Sequence, residues 1–237
     1  MRVEIWSDVI CPWCYIGKRQ FEHALEGFEH RDQVEVVYRA FQLDPSFPQG
    51  ETMEVADMLA GKYGMPREKA VEMNRQMEER AAGVGLEYHL EGGRVGNTAD
   101  AHRLVHLATE QGVQGEVVEA LYKAHFTDRR SVFDHDSLVK IAEEAGLDAS
   151  ATRETLTSGK FAAEVDTDQR EARELGATGV PFFVVDGRYG VSGAQPTETF
   201  TQVLDRAWAD ARPKLTTIGA DTDTCTDDGC AVPRNNP

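Results

Sequence analysis

The sequence of 237 residues predicts an α/β fold that is interrupted by a large, all-helical insertion. A strand, a helix and a second strand open the chain, helical patterns fill its middle, and strand-like alternation returns near residue 179. Apolar side chains that alternate with a period of two are typical of strands, whereas a spacing of three to four residues is typical of helices. The sheet is therefore expected to combine two distant ends of the chain.

The opening run predicts a strand–helix–strand unit. Residues 3–7 form a short apolar strand, and residues 11–28 place apolar side chains along one helical face. Residues 33–41 are the strongest strand pattern in the chain, because they are β-branched and partly alternating. Two parallel strands joined by a helix place functional residues at the carboxyl end of the first strand.

The middle of the chain predicts an insertion domain over residues 46–174. Its predicted helices lie near residues 51–63, 66–82, 98–111, 116–126 and 136–145. Glycines at 64, 112 and 146 are helix stops, and the proline at 66 suits a first helical turn. The glycine-rich residues 83–96 are predicted to form a functional loop.

The last part of the chain predicts a β-hairpin and a closing helix. Residues 179–193 contain two strand patterns with Asp186 and Gly187 at the turn. A helix over residues 196–208 follows. We assign residues 1–45 and 175–212 to one discontinuous α/β domain. Residues 213–237 are polar and acidic without periodicity, and are predicted to be a flexible tail.

Cys11 and Cys14 lie where the first strand meets the first helix. Two cysteines at this spacing and position are typical of a redox dithiol. Unpaired N–H groups and the helix dipole favour the thiolate of Cys11, and Cys14 can attack a mixed disulfide formed there. Pro12 suits the first turn because it lacks an N–H, and Trp13 presents apolar surface beside the sulfur.

Cys225 and Cys230 are the only other cysteines of the chain. A zinc site formed by both pairs is an alternative, but the strand-to-helix setting of Cys11 favours the dithiol. We interpret Cys225 and Cys230 as an auxiliary redox pair that exchanges with Cys11 and Cys14 or senses oxidants. A structural disulfide is the other interpretation, although a flexible segment in a reducing compartment gains little from one.

The net charge of −16 bears on partners and location. It repels phosphate backbones and anionic lipid, so nucleic acid and membrane surfaces are not expected as partners. No stretch reaches the length of a transmembrane helix. The N-terminus is strand-like and acidic rather than basic and then apolar, so we expect no cleaved signal and a cytoplasmic location.

His102 and His106 are four residues apart in a predicted helix. This spacing can present two imidazoles to one metal ion. The sequence supplies no assignable carboxylate to complete such a site, so we expect no metal and interpret the pair as packing or groove-lining residues.

Asp8 and Pro181 each have two interpretations. Asp8 is the carboxylate nearest to the dithiol in sequence, and we expect it to cap the turn before the helix, with help in proton transfer as the alternative. Pro181 begins a predicted strand, and at this position its missing N–H removes no hydrogen bond between strands. A cis Val180–Pro181 bond would instead turn the backbone of Val180 toward a neighbouring site.

Three separated motifs resemble those of DsbA-like thioredoxins of the FrnE type. The matching stretches are SDVICPWCYIG at residues 7–17, NTADAHRL at 97–104, and TGVPFFV at 178–184, continued by VSGAQP at 191–196. The resemblance covers residues 1–210. It implies a thioredoxin fold with a helical insertion and a thiol–disulfide oxidoreductase activity on protein or small-molecule thiols.

The resemblance also implies roles for individual residues. Cys11 would be the attacking thiol, Cys14 the resolving thiol, and Pro181 a cis-proline packed against them. Val180 would offer its backbone to a substrate by short strand pairing, and His102 would line the substrate groove with Pro12 and Trp13 nearby. No cofactor is expected, with glutathione considered only as a substrate.

Ile5 is a departure from the pattern, because thioredoxins usually carry a buried acid at this place on the first strand. Two alternative functions follow from related folds and from the cysteines. Kappa-class glutathione transferases and 2-hydroxychromene-2-carboxylate isomerases carry serine in the region of Cys11, so a glutathione-dependent enzyme acting on a small aromatic substrate is one alternative. A zinc-held interaction module or holdase is the other.

Overall fold

The computed structural model describes residues 1–211 and contains helices on both faces of a small sheet. Its elements are, in chain order, β1 (Arg2–Ser7), α1 (Pro12–Glu26), β2 (Glu35–Ala40), β3 (Thr52–Glu54), α2 (Val55–Tyr63), α3 (Arg67–Ala82), β4 (Arg94–Gly96), α4 (Ala99–Gln111), α5 (Gln114–Phe126), α6 (His135–Glu144), α7 (Ala149–Ser158), α8 (Ala162–Glu174), β5 (Phe182–Val185), β6 (Tyr189–Ser192) and α9 (Thr197–Ala211). The predicted tail, with Cys225 and Cys230, lies outside the described residues.

The main sheet joins the two ends of the described chain, as predicted. Its four strands lie in the order β2-β1-β5-β6. Strand β1 is parallel to β2 and antiparallel to β5, which in turn is antiparallel to β6. The predicted strand–helix–strand unit and the late hairpin are both confirmed.

Strand β1 is buried on both faces. Ile5 pairs with Phe183 of β5 and belongs with it to the large hydrophobic core that includes Phe200 of α9. The next residue, Trp6, points to the other face and packs in a separate cluster with Ala172 of α8. Because alternate residues of a strand face opposite sides, the single run 3–7 supplies both cores.

The hairpin turn has the backbone that its sequence predicts. Asp186 and Gly187 have φ angles of 54° and 65°. The N–H of Arg188 donates to the carbonyl of Val185 at 3.1 Å and closes the turn. Two successive positive φ angles match the right-handed twist of the flanking strands, and aspartate followed by glycine accommodates them readily.

The insertion is mainly helical but also contains a small antiparallel ribbon of β3 and β4. The predicted helix at 51–63 therefore begins only at Val55, because the preceding residues pair with β4. Helices α7 and α8 were absent from the sequence prediction. In α8 the buried positions include Asp168 and Gln169, so polar residues interrupt its apolar period.

Helix α8 packs against the sheet through buried Asp168. One carboxylate oxygen of Asp168 accepts from the N–H of Ala40 at 2.9 Å, and the other lies 3.3 Å from Nη1 of Arg39. Helix α8 lies within the predicted insertion, residues 46–174, yet it covers one face of the sheet. The division of the chain into two domains stays a prediction.

Helix α1 also contacts the insertion, through an aromatic stack and a carboxylate. The ring of Tyr15 stacks on Tyr122 of α5 with centroids 4.9 Å apart. The hydroxyl of Tyr15 donates to Glu119 Oε1 at 2.6 Å, and Arg19 donates to the same oxygen at 2.8 Å. Lys18 binds the second oxygen of Glu119. One α5 carboxylate thus receives three donors from α1.

The charge of Glu119 is stabilised at this contact. Burial alone raises the pKa of a carboxyl group, but the positive charge and hydrogen bond of Lys18, with the bonds from Tyr15 and Arg19, lower the pKa of Glu119 below its ordinary value. A carboxylate whose pKa is lower in the folded state stabilises the fold above its unfolded pKa. This stabilisation is lost as the pH falls through the folded pKa.

We expect Glu119→Gln to lower the free energy of unfolding at pH 7 by about 1–2 kcal/mol, because charge-assisted hydrogen bonds are lost. The deficit should shrink at an acidic pH below the lowered pKa of Glu119, where the wild-type carboxylate is itself protonated. Urea unfolding at both pH values measures it. Exposed Glu116 on the same helix supplies the control, Glu116→Gln. An equal deficit at both pH values, or an equal effect of Glu116→Gln, would contradict the assignment.

Candidate active site

The two cysteines lie at the junction that the sequence predicts. Cys11 precedes α1 with extended backbone (φ −86°, ψ 113°), and Pro12 is the first helical residue. The N–H of Cys14 donates to the carbonyl of Cys11 at 3.0 Å. Both cysteines are free thiols and both are buried. Cys11 therefore lies at the N-terminus of a helix, with Cys14 behind it in the first turn.

The segment before β5 meets Cys11 from the opposite end of the chain. The Val180–Pro181 peptide bond is cis. The thiol of Cys11 donates to the carbonyl of Val180, with a sulfur–oxygen distance of 3.6 Å. Of the two interpretations of Pro181, the cis form is correct, and the backbone of Val180 faces the dithiol.

Gly17 permits this approach. A Cβ at this position would lie 2.8 Å from Cγ of Pro181 and 3.4 Å from Cα of Ala194. The first distance is much shorter than van der Waals contact, so the absence of a side chain lets the proline segment pack on α1. Gly17 is not among the predicted site residues, because Pro181 lies 164 residues further along the chain and no local sequence pattern indicates their contact.

Asp8 is fully buried beside the dithiol, and it does not cap the helix. Its Oδ2 accepts from the N–H of Leu43 at 2.7 Å, beyond the end of β2. Its Oδ1 lies 3.4 Å from Nε2 of His102, within ion-pairing distance, yet neither atom has a hydrogen-bond partner among residues 1–211. The expected capping role of Asp8 is therefore wrong.

His102 and His106 each face a different buried carboxylate. His102 faces Asp8, whereas Nε2 of His106 lies 2.9 Å from Oδ2 of Asp168. Within residues 1–211, no group of three or more His, Cys, Asp or Glu side chains is arranged to hold a metal ion. His102 is 2% exposed, so its contact with Asp8 lies inside the protein. Its role in lining the substrate groove stays a prediction.

The protonated form of Cys14 is favoured by its surroundings. Burial, first of all, raises the pKa of the Cys14 thiol well above its ordinary value. The contact with the Cys11 thiol raises it further, and so does the negative charge of Asp8. Cys14 is consequently a thiol that must release a proton before it can act as a nucleophile.

The residues between the two cysteines point outward. Trp13 is 39% exposed, and the guanidinium carbon of Arg80 lies 5.6 Å from its ring centroid. The carbonyl of Pro12 accepts from the hydroxyl of Tyr88 at 2.8 Å. Tyr88, in the predicted functional loop, thus fixes the active-site turn. Substrate binding by Pro12, Trp13 and Val180 stays a prediction.

This arrangement can exchange disulfides. One thiol lies at a helix N-terminus, a second lies one turn behind it, and a backbone carbonyl faces the first sulfur. A substrate sulfur bonded to Cys11 would remain within reach of Cys14, as thiol–disulfide exchange requires. The residues come from β1, α1 and the start of β5.

The chain is similar to several known proteins. The family model for the DSBA-like thioredoxin domain matches residues 2–205. A probable DsbA oxidoreductase from Streptomyces coelicolor is 51% identical, with a TM-score of 0.86 over 98% of this chain and 99% of that chain. The uncharacterized protein YwbO of Bacillus subtilis is 27% identical over 86% of this chain and 96% of its own length.

A more distant solved structure shares the fold. It is the cytosolic disulfide reductase DsbM from Pseudomonas aeruginosa with GSH, which is 17% identical, with a TM-score of 0.62. The match covers 88% of this chain and 99% of that chain. In the described part of the present chain, no helix is both long and apolar enough to span a membrane.

Gly17→Ala should destabilise the protein by about 1–2 kcal/mol and reduce disulfide exchange, because the new methyl group overlaps Pro181. Gly61→Ala is the matched control, since Gly61 lies inside α2 with open space around it. There the higher helix propensity of alanine should stabilise by about 0.5–1 kcal/mol. Thermal unfolding and insulin-disulfide reduction measure both variants. Stabilisation by Gly17→Ala would show that the contact does not constrain α1.

Proposed function

The chain belongs to the DSBA-like thioredoxin domain family, and on this basis we propose that it is a thiol–disulfide oxidoreductase. Cys11 is the attacking thiol and Cys14 the resolving thiol. The observation that carries the proposal is the contact of the Cys11 thiol, at the N-terminus of α1, with the carbonyl of Val180 beside cis Pro181.

The proposed reduction of a substrate disulfide proceeds in two exchanges. The Cys11 thiolate attacks one substrate sulfur, a bond forms between them, and the other substrate sulfur leaves as a thiolate that takes a proton. Cys14 then loses its proton and attacks the sulfur of Cys11, which releases the second substrate thiol. Two electrons pass from the dithiol to the substrate, and the same steps reversed oxidise a substrate dithiol. The reduction potential decides the direction.

The second exchange needs a proton acceptor, because the pKa of Cys14 is raised. We propose Asp8, assisted by His102. Asp8 is fully buried, its charge acts on Cys14, and its Oδ1 faces His102 without a hydrogen-bond partner. When the proton moves from Cys14 to this pair, the negative charge moves to sulfur, so two neighbouring anions are avoided.

We propose that the substrates are peptide or small-molecule thiols and disulfides, and glutathione is the small thiol to test first. The support is that DsbM, which shares the fold, was solved with GSH. Its description as cytosolic is compatible with the cytoplasmic location proposed for this chain. Glutathione binding without disulfide turnover would instead favour a glutathione-dependent isomerase or transferase acting on a small aromatic substrate.

Cys11→Ser should abolish insulin-disulfide reduction, because the attacking sulfur is absent. Cys14→Ser should accumulate a mixed disulfide at Cys11, because nothing resolves it. Turnover and mass spectrometry of the trapped species measure these outcomes. Both variants are made with Cys225→Ser and Cys230→Ser, so that the predicted auxiliary pair does not contribute, and that double variant alone is the control. Full activity of the Cys11 variant would end the proposal.

Asp8→Asn should have two opposite effects. It removes a negative charge near Cys14, so the midpoint for alkylation of Cys14 should move to lower pH. It also removes the proton acceptor, so resolution of a mixed disulfide at pH 7 should slow by about tenfold or more. The slowing should disappear at high pH, where hydroxide replaces the acceptor. Rapid-quench assays and the pH dependence of alkylation measure the two effects.

His102→Gln should slow the same resolution step at pH 7, because it removes the group that faces Asp8 Oδ1. His106→Gln is the matched control, since it removes a histidine that faces Asp168 from the same helix. Equal slowing by both histidine variants would indicate a general structural effect.

The Asp8 proposal has its own contradicting outcome. If the alkylation midpoint of Cys14 did not move in Asp8→Asn, the charge of Asp8 would not be a cause of the raised pKa of Cys14.

A further inference from the structure

A cavity of about 230 Å³ lies between the β3–β4 ribbon and the segment that follows α5. Arg94, Arg129 and Arg130 line it, together with His125, and its lining residues include no Asp or Glu. The whole chain has a net charge of −16, so this concentration of positive charge opposes the general trend of the molecule. None of these residues belongs to the proposed disulfide chemistry.

Two of the three arginines are held in place by neighbours. Arg94 donates to Oγ1 of Thr52 at 2.6 Å and to the carbonyl of Thr52 at 2.9 Å. Arg130 pairs with Glu144 at 2.6 Å. Thr52 is neutral, so its hydrogen bonds fix Arg94 without compensating the positive charge of the guanidinium. The wall of the cavity therefore contains a fixed, uncompensated guanidinium.

Arg129 differs from both, because its guanidinium makes no hydrogen bond or ion pair with residues 1–211. Its φ angle is 55°, in the left-handed region that residues other than glycine rarely adopt. Its Nη2 lies 2.9 Å from the place where a Cβ of Gly92 would stand, so a side chain at residue 92 would displace the guanidinium. Backbone in the left-handed region is often found at ligand-binding positions, and here it places an unpaired guanidinium at the cavity beside Gly92.

We propose that this cavity binds an oxyanion, the phosphate or carboxylate group of a small molecule, with Arg129 as its principal ligand and Arg94 beside it. A guanidinium presents parallel N–H donors that match two oxygens of a phosphate or a carboxylate. The cavity is large enough for such a group and a small body attached to it.

His125 provides an internal reporter of binding. It is half-buried at the cavity, with Phe126 and Phe133 packed edge-on to its ring. Burial lowers the pKa of His125 to about 4, against the opposing charge of Asp8. The other charged groups that line the cavity with it are Arg94, Arg129 and Arg130. A bound anion adds negative charge beside the imidazole and should raise this pKa.

The test uses the full chain, with inorganic phosphate and succinate titrated separately at constant ionic strength. The resonances and pKa of His125 are followed by NMR, and thermal unfolding gives an independent affinity. We expect saturable binding of at least one anion and an upward shift of the His125 pKa. Binding of phosphate but not succinate would identify a phosphoryl ligand, and binding of succinate but not phosphate would identify a carboxylate ligand.

Arg129→Gln should weaken binding by about tenfold or more, because it removes a bidentate, charge-assisted contact. Arg170→Gln is the matched control, an exposed arginine of α8 outside the cavity, and should change the affinity by less than about twofold. Gly92→Ala keeps the charge of Arg129 but displaces its Nη2, and should also weaken binding. Absence of saturable binding, or equal affinities of wild type and Arg129→Gln, would overturn the proposal.

Discussion

The packing of α1 from two sides is the constraint on which the rest of the molecule depends. On one side, Phe21 contacts Phe183 of the sheet and Phe200 of α9, with ring centroids 5.7 Å apart in each case. On the other side, Tyr15 and its neighbours bind Glu119 of the insertion. The position of Cys11 relative to Val180 is therefore set by both the sheet and the insertion. A change in either would alter the distance between the Cys11 sulfur and the Val180 carbonyl.

A carboxylate lies beside the dithiol even though β1 carries Ile5. Ile5 joins the hydrophobic core with Phe183, and the carboxylate beside the dithiol comes instead from Asp8 in the turn after β1. Burial of an ionised carboxylate is costly unless it is hydrogen-bonded. Leu43 supplies one such bond, from the backbone beyond β2, so the acid near Cys14 depends on the parallel pairing of the first two strands.

Local patterns explain what the sequence could predict, and long-range contacts explain what it could not. The dithiol at a helix start and the Asp186–Gly187 turn depend on neighbouring residues, so they were predictable. Helix α8 was missed because Asp168 is buried by partners elsewhere in the chain. The meaning of Gly17 requires knowledge that Pro181 packs against it. The charged cavity was likewise invisible, because its arginines meet only after β4 and α5 are assembled.

Helix α4 presents two histidines that face two buried carboxylates with different hydrogen bonding. His106 faces Asp168, whose two oxygens also receive Ala40 and Arg39. His102 faces Asp8, which in the described part of the chain accepts from the Leu43 N–H and leaves Oδ1 without a hydrogen bond. Both oxygens of Asp168 therefore have donors, whereas Oδ1 of Asp8 is left as an open acceptor, which is what the proposed resolution step requires. Of the two pairs, the one with the unsatisfied oxygen is the one beside Cys14.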